Sequence, residues 1–341
     1  MTVLDETRIS DPALKRPRLG FLGVGWIGRQ RMETVLASGY AEAAAIADPS
    51  PEMTAAAREV APYAETVSSL DELLEMNLDG VVIATPSALH AAQSIEALKR
   101  GVAVFCQKPL GRTATEVEEV VRTAREADRL LGVDLSYRFT EAMRCIRDSI
   151  ESGEIGPVHA AELVFHNAYG PDKPWFYQPE LSGGGCVMDL GIHLVDLALW
   201  MLDFPDIEQV SGSLFSEGER LGANPERVED HAVATLEFKT GAVARIACSW
   251  RLHAGCDAEI SATFYGRSGA LSFSNVGGSF YDFKAERFTG TSRQTLISPP
   301  DAWGGVAAVD WARRLAAGSG FSPSAEEYVK VAAVLDRIYG R

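Results

Sequence analysis

The chain of 341 residues has few cysteines, no basic run and no long unbroken apolar stretch, and each absence removes a class of protein. The five cysteines (Cys106, Cys145, Cys186, Cys248, Cys256) are odd in number, scattered, and never in Cys-x-x-Cys spacing. That speaks against a disulfide framework or zinc ribbon and leads to the expectation of reduced thiols in a cytoplasmic protein. Lys and Arg number 32 against 47 Asp and Glu, a net charge of -15. Phosphate-backbone binding needs clustered cations, so no nucleic-acid partner is expected. The longest apolar stretch, around Leu194 to Leu202, is interrupted by Asp196. It falls far short of the roughly 20 residues that span a bilayer, so no membrane span is expected. The first residues lack the apolar core of a signal peptide, and Asp11 to Arg18 reads as a polar, proline-bearing lead-in. No internal repeat or low-complexity segment is visible.

What is present is a chain that is 46% hydrophobic and 23% charged, long enough to bury two cores. From Arg18 to about Ser136, short apolar runs alternate with amphipathic stretches, the signature of a parallel sheet covered by helices. Strands are expected at Leu19–Val24, Ala43–Ala47, Gly80–Ala84, Val102–Cys106 and Leu131–Leu135. A helix is expected over Ala114–Leu131, where Val117, Val120, Val121, Ala124, Ala127 and Leu130 recur at helical spacing. Thr85-Pro86-Ser87 supplies breaker and cap for another helix, ending near Gly101. Beyond Tyr137 the texture changes. Helices at Thr140–Ser152 and Asp189–Leu202 precede strand-like runs at Ile207–Ser216, His231–Phe238, Ala242–Trp250, Ala258–Tyr265 and Ala270–Phe273. A further strand is expected at Val158–His166, and a last helix at Ser324–Ile338. In the run 260–265, Ile260, Ala262 and Phe264 alternate with Ser261, Thr263 and Tyr265, as in a mostly antiparallel sheet with one buried face. The expectation is an α/β protein: a lead-in over 1–17, a doubly wound dinucleotide-binding domain over 18–136, and an α/β domain with a large open sheet over 137–341.

Three groups of residues carry chemistry. Gly23-Val24-Gly25-Trp26-Ile27-Gly28 sits where the first strand gives way to a helix. There the glycines permit a tight turn, a close approach to pyrophosphate and close helix–strand packing. Asp48 ends the second strand about 20 residues on, where an acid holds the adenosine ribose hydroxyls. A carboxylate there repels a 2'-phosphate, which favours NAD, although Arg58 leaves NADP open. Lys108, with Pro109 after it, ends another strand at its carboxyl edge, where its ammonium can stabilise an alkoxide. Gly183 to Asp196 is a glycine loop running into a helix, with Asp189 and His193 four residues apart on one face as an acid/base pair. For His193, a core histidine and a metal ligand compete with that role, but no third and fourth ligand accompany it, and no metal is expected. Asp196, one turn later, reads as structural. Phe165, His166, Asn167, Tyr169, Lys173, Trp175, Phe176 and Tyr177 interleave aromatic and polar groups, suiting a sugar-like ring. Of these, His166, Asn167 and Tyr169 are the expected substrate contacts, and loop anchoring accounts equally well for Trp175 and Phe176.

These motifs, in this order, resemble the glucose-fructose oxidoreductase and inositol 2-dehydrogenase family. The resemblance is carried by Gly23 to Gly28, Asp48, Ala84-Thr85-Pro86 with His90, Lys108-Pro109, Gly185 with Asp189, Gly191 and His193, and the late Gly266 to Leu271. It implies a Rossmann domain joined to an α/β domain. It further implies a nicotinamide cofactor bound by Gly23, Gly25, Trp26, Ile27, Gly28, Asp48, Thr85, Pro86, His90, Gln107 and Lys108. Lys108 would be the catalytic lysine, Asp189 and His193 the proton relay, and the substrate a sugar, inositol or related polyol. Relatives of this kind assemble as dimers or tetramers through the open sheet, so a homodimer or homotetramer is expected. The chain departs from the family's usual Glu-Lys-Pro, having Gln107-Lys108-Pro109. A glutamine cannot lend negative charge to the lysine. Two other readings stand beside the dehydrogenase: an enzyme that keeps and recycles a bound NAD, and a non-catalytic dinucleotide sensor. A pure sensor has no need of Lys108, Asp189 and His193 together.

Overall fold

Short apolar strands joined by amphipathic helices can close their backbone hydrogen bonds only by stacking side by side in parallel, with the helices covering the faces. The N-terminal half does this. The computed structural model describes residues 16–222, 226–301 and 303–341. Strands β1 (Arg18–Leu22), β2 (Glu42–Ala47), β3 (Glu65–Val67), β4 (Gly80–Ile83), β5 (Ala103–Cys106) and β6 (Leu131–Val133) form a six-stranded sheet in the order β3-β2-β1-β4-β5-β6. All its pairs are parallel. Strand order reverses between β1 and β4, and the crevice at such a switch point is where doubly wound sheets take their ligands. The connecting helices are α1 (Trp26–Ala37), α2 (Pro51–Val60), α3 (Leu70–Leu74), α4 (Ser87–Lys99) and α5 (Ala114–Glu126). Ser50, Ser69 and Thr113 cap α2, α3 and α5 through their side-chain oxygens. Helix α5 stops at Glu126, short of the expected Leu131, because Asp128 turns the chain with φ of 48°. Leu130 is still fully buried, in the turn that feeds β6.

The second half contributes α6 (Glu141–Glu151), β7 (Val158–Asn167), α7 (Pro179–Ser182), α8 (Ile192–Met201), β8 (Ile207–Ser216) and β9 (Glu219–Arg220). These are followed by β10 (His231–Phe238), β11 (Val243–Ser249), β12 (Ala258–Gly266), β13 (Gly269–Asn275), β14 (Phe283–Thr289) and β15 (Ser292–Ile297). Helices α9 (Val306–Ala316) and α10 (Glu326–Tyr339) end the chain. The strands form one sheet in the order β15-β14-β13-β12-β7-β11-β10-β8-β9, antiparallel except where β7 meets β11. The architecture is the expected one, a parallel doubly wound sheet beside a large, mostly antiparallel one. Alternation decides its buried face: Ala258, Ile260, Ala262 and Phe264 of β12, and Ala232, Ala234, Leu236 and Phe238 of β10, are all buried. Helices α6, α8 and α10 cover that face.

Strands β3, β9, β14 and β15 were not foreseen. β3 is three residues long, and β15 reads Ser-Arg-Gln-Thr-Leu-Ile with its first four side chains exposed, so neither has an apolar alternation to betray it. Helix α8 is apolar on every side apart from His193 and Asp196 and is buried between the sheet and its neighbours. The helical stretch containing it, Pro179–Met201, is longer than the apolar run read from sequence and long enough to span a membrane, but its apolar window is 89% buried inside the molecule. Helix α9 returns to the parallel sheet, where Trp311, 2% exposed, packs on Phe105 with ring centroids 5.8 Å apart.

Candidate active site

One cleft of about 890 Å³ runs from the glycine turn after β1 to the mouth of the second sheet. At the end nearest the glycine turn the backbone does the shaping. Gly23 has φ of 81°, and a Cβ on Gly28 would lie 2.1 Å from the Gly23 carbonyl oxygen, so a side chain at 28 would drive α1 off β1. Gly25 opens α1 with no side-chain cap, and a Cβ on it would meet nothing within 4 Å. Backbone N–H groups with no partner among the described residues and a positive helix end face open space there, a fit for a pyrophosphate. Gly25, Trp26 and Ile27 line the cleft. Gly23 and Gly28 lie behind it. Asp48 also lines it, and its two oxygens accept the Val24 and Ser50 N–H groups, each at 2.8 Å. The carboxylate thereby pins the glycine turn to the end of β2 while standing where ribose hydroxyls belong. Arg58 is exposed in the last turn of α2, outside the cleft lining.

Thr85 and Pro86 follow β4 and line the cleft. His90, on α4, has Nδ1 2.7 Å from the Pro109 carbonyl oxygen and Nε2 2.7 Å from the Thr85 carbonyl oxygen. It braces the turn after β4 against the turn after β5. Burial holds its pKa below the usual imidazole range, partly opposed by those carbonyls.

Lys108, Asp189 and His193 meet at the centre. Lys108 Nζ donates to Asp189 Oδ1 at 2.6 Å and to the Asp189 carbonyl oxygen at 2.7 Å. The other carboxylate oxygen accepts from Trp250 Nε1 at 3.0 Å. Among the described residues no hydrogen bond joins Asp189 to His193, so Asp189 orients the lysine and not, as its spacing suggested, the histidine. The expected helix over Asp189–Leu202 begins as a wider, i→i+5 turn at Val187–Gly191 before α8, a bulge common at functional sites. His193 is 7% exposed and packs edge-on to Tyr137 at 5.0 Å. Burial first, then the charges of Lys108 and Arg31, hold its pKa well below the ordinary imidazole value. That shift favours the neutral imidazole, and among the described residues its ring nitrogens have no hydrogen-bond partner, so one can accept a proton.

Behind this centre lies a support that the sequence did not mark. Glu229 is fully buried and accepts the Gly185 N–H at 3.0 Å, the Val187 N–H at 2.8 Å and the Tyr339 hydroxyl at 2.8 Å. A Cβ on Gly185 would lie 1.9 Å from the Glu229 carbonyl oxygen. The glycine loop is thus clamped directly ahead of Asp189. Gln107 Nε2 and Arg31 Nε both donate to Asp134 Oδ2, Arg31 at 2.6 Å, and all three residues line the cleft. Asp196 is buried against Arg138, a structural pair as expected.

The substrate end divides the sequence's candidates by strand alternation. Phe165 and Asn167 face the cleft, whereas His166 points to the opposite side of β7. There its Nδ1 lies 2.7 Å from Ser249 Oγ and its ring parallels that of His231. Tyr169 is 56% exposed and donates its hydroxyl to Asp257, away from the lining. Lys173, Trp175 and Phe176 line one wall, and Phe280, Tyr281 and Trp303 line another. Trp303 stacks on Tyr137 at 6.0 Å and on Tyr281 at 6.1 Å, an aromatic ladder from the mouth toward His193 that sequence reasoning missed. A Trp at the end of β11 was the one readable hint among the missed residues, since a buried indole N–H needs an acceptor. Among the described residues no group of three His, Cys, Asp or Glu could hold a metal.

Comparison with known proteins bears on the family and the fold. Residues 17–135 match the oxidoreductase family with an NAD-binding Rossmann fold, and residues 143–272 match the GFO/IDH/MocA C-terminal domain. The chain is 31% identical to 1,5-anhydro-D-fructose reductase of Ensifer adhaerens over 67% of this chain and 68% of that one. It is 27% identical to myo-inositol 2-dehydrogenase of Thermotoga maritima, over 76% and 75% of the two chains. Levoglucosan dehydrogenase in complex with NADH and levoglucosan shares the fold, with a TM-score of 0.81 over 95% of this chain and 96% of that one at 22% identity.

Proposed function

The chain belongs to the GFO/IDH/MocA family of oxidoreductases, with an NAD-binding Rossmann domain, and from that premise we propose that its cleft moves a hydride between nicotinamide and a secondary alcohol of a sugar, inositol or related polyol. The observation that carries the reading is the meeting of a Lys108–Asp189 pair with a neutral, buried His193 in the same cleft as the uncapped start of α1. The bound dinucleotide supplies the hydride acceptor or donor. The chain's own residues manage the proton and the oxygen. His193 accepts the hydroxyl proton at a ring nitrogen, or returns it in the reverse direction. Lys108 Nζ, aimed by Asp189, donates a hydrogen bond to the substrate oxygen as negative charge gathers there. Asp189 is itself held by Trp250, so the ammonium is fixed in direction before substrate arrives. Aromatic walls from Trp175 and Phe176 and from Tyr281 and Trp303 suit the C–H faces of a sugar ring, while Asn167 offers its hydrogen bonds to hydroxyls.

The carboxylate of Asp48 at the ribose position supports NAD over NADP, as it would repel a 2'-phosphate, and Arg58 lies outside the cleft lining. The open face of the large sheet is the surface on which a homodimer or homotetramer would form, and the five free cysteines suit the reducing cytoplasm. Purified protein incubated with NAD or NADP and a panel of aldoses, inositols, anhydro sugars and glycosides should develop reduced-nicotinamide absorbance with at least one of them. Silence across the panel, with dinucleotide binding intact, would overturn the assignment.

A further inference from the structure

We infer that Asp134 carries, one strand away, the carboxylate that the Lys108 turn lacks at position 107, and that Arg31, Asp134 and Gln107 form one positioning unit under the nicotinamide end of the cleft. The inference rests on the nicotinamide-dependent reading given above. Position 107 is where the resemblance leads one to expect a glutamate, and this chain has a glutamine. The negative charge comes instead from the residue directly after β6. Asp134 is 1% exposed, and its Oδ2 accepts from both Arg31 Nε, at 2.6 Å, and Gln107 Nε2. Its Oδ1 is buried with no hydrogen-bond partner among the described residues. The two donors belong to different elements. Arg31 lies on α1, whose first turn faces the cleft, and Gln107 immediately precedes Lys108. One buried oxygen therefore joins the dinucleotide helix to the turn that aims the lysine.

The chemistry allows this cluster only one carboxylate. A glutamate at 107 facing Asp134 would place two buried acids within hydrogen-bonding distance, and one would have to take up a proton. A neutral residue at 134 with glutamine at 107 would leave Arg31, 2% exposed, buried without a counter-ion. Gln107 and Asp134 are consistent only as a pair. Exchanging both, Gln107→Glu with Asp134→Asn, restores one carboxylate, one amide and one guanidinium with the charge moved back to position 107.

Four proteins test this: the parent, Gln107→Glu, Asp134→Asn, and the double variant. Each is titrated with NADH and with NADPH by fluorescence from neutral to alkaline pH and followed through thermal unfolding. The expected result is that each single exchange weakens dinucleotide binding about tenfold or more, as loss of a hydrogen bond to a charged partner does. The double variant should return to within about threefold of the parent, and its pH profile with it. A purely structural cluster would lower melting temperatures while leaving the affinity of the folded protein unmoved. If a single variant fails to fold, recovery of cooperative unfolding and binding in the double variant supports the inference, and its absence overturns it. Parent-like binding by Asp134→Asn alone, or a double variant that loses the product of the two single losses, also overturns it. A parent that binds neither dinucleotide sinks the functional reading itself. A binding parent whose variants show no reciprocity sinks only the role of Asp134.

Discussion

The two ends of the cleft are made of different materials. The end proposed for the dinucleotide is shaped by backbone: a glycine turn, an uncapped helix start and one carboxylate tied to two N–H groups. The other end is walled by side chains from alternate positions of β7, from Lys173 to Phe176, and from Tyr281 and Trp303. Backbone shape is constrained by residue type, since few residues other than glycine fit a positive φ or a contact of 2.1 Å. Side-chain walls are constrained only by which face a strand turns inward. The first end is therefore fixed by residue type and suits the dinucleotide we propose for it, whereas the walls of the second can change with single substitutions.

Substitutions can break or sharpen that contrast. The largest effect is expected at the junction of the two ends. His193→Asn should lower kcat by about 10²- to 10⁴-fold, the usual loss on removing a general base, with NADH affinity little changed. Steady-state kinetics beside an NADH titration checks this. At the dinucleotide end, Gly25→Ala and Gly28→Ala should fail differently. The methyl at 25 meets nothing in the protein, so the fold should keep its melting temperature while dinucleotide binding weakens, because the methyl occupies the approach to the pyrophosphate. The methyl at 28 clashes with the Gly23 carbonyl and should cost about 1–3 kcal/mol of stability, read in thermal unfolding. Trp250→Phe removes one hydrogen bond to the Asp189 carboxylate and should cost about tenfold in kcat through a less well aimed Lys108. The smallest effects are expected at the outward-facing candidates. His166→Ala and Tyr169→Phe should leave kcat/KM within about twofold, whereas Asn167→Ala raises KM; equal effects at 166 and 167 would erase the distinction between the two faces of β7.

The two buried histidines give a pH signature. Both His90 and His193 have folded-state pKa values below the unfolded value of 6.5, so the unfolded chain binds more protons in acid. Their stabilising contribution is complete above 6.5 and is lost as the pH falls through that value toward their folded pKa values. Melting temperature should drop on mild acidification, and His193→Asn should flatten the drop. For the same reason alcohol oxidation should persist below the ordinary imidazole range before it falls.

Much of the fold was legible because its elements are strongly patterned. The runs of β1 from Leu19 on, of β4 and of β5 are continuously apolar, and β12 alternates cleanly. The edge strand β15 was not legible because its first four side chains face solvent, and only Leu296 and Ile297 pack against the core. In the site, Lys108, Asp189 and His193 could be picked out as chemically capable residues at the ends of elements. Their pairing could not, since Asp189 is taken by Lys108 and Trp250 through contacts across 81 and 61 residues of chain. His166 drew attention for its chemistry, but the phase of β7 turned it away. Glu229 lies in an ordinary acidic stretch and acquires its role only when the chain brings it under the glycine loop.

The most direct test of the account is Lys108→Ala, assayed for turnover on the substrate found in the panel and for NADH affinity in the same preparation. The account predicts that kcat falls by about 10²- to 10³-fold while the protein still binds NADH and melts cooperatively. Turnover within a few-fold of the parent would contradict it, because the Lys108–Asp189 pair would then be no more than a structural ion pair beside the cleft.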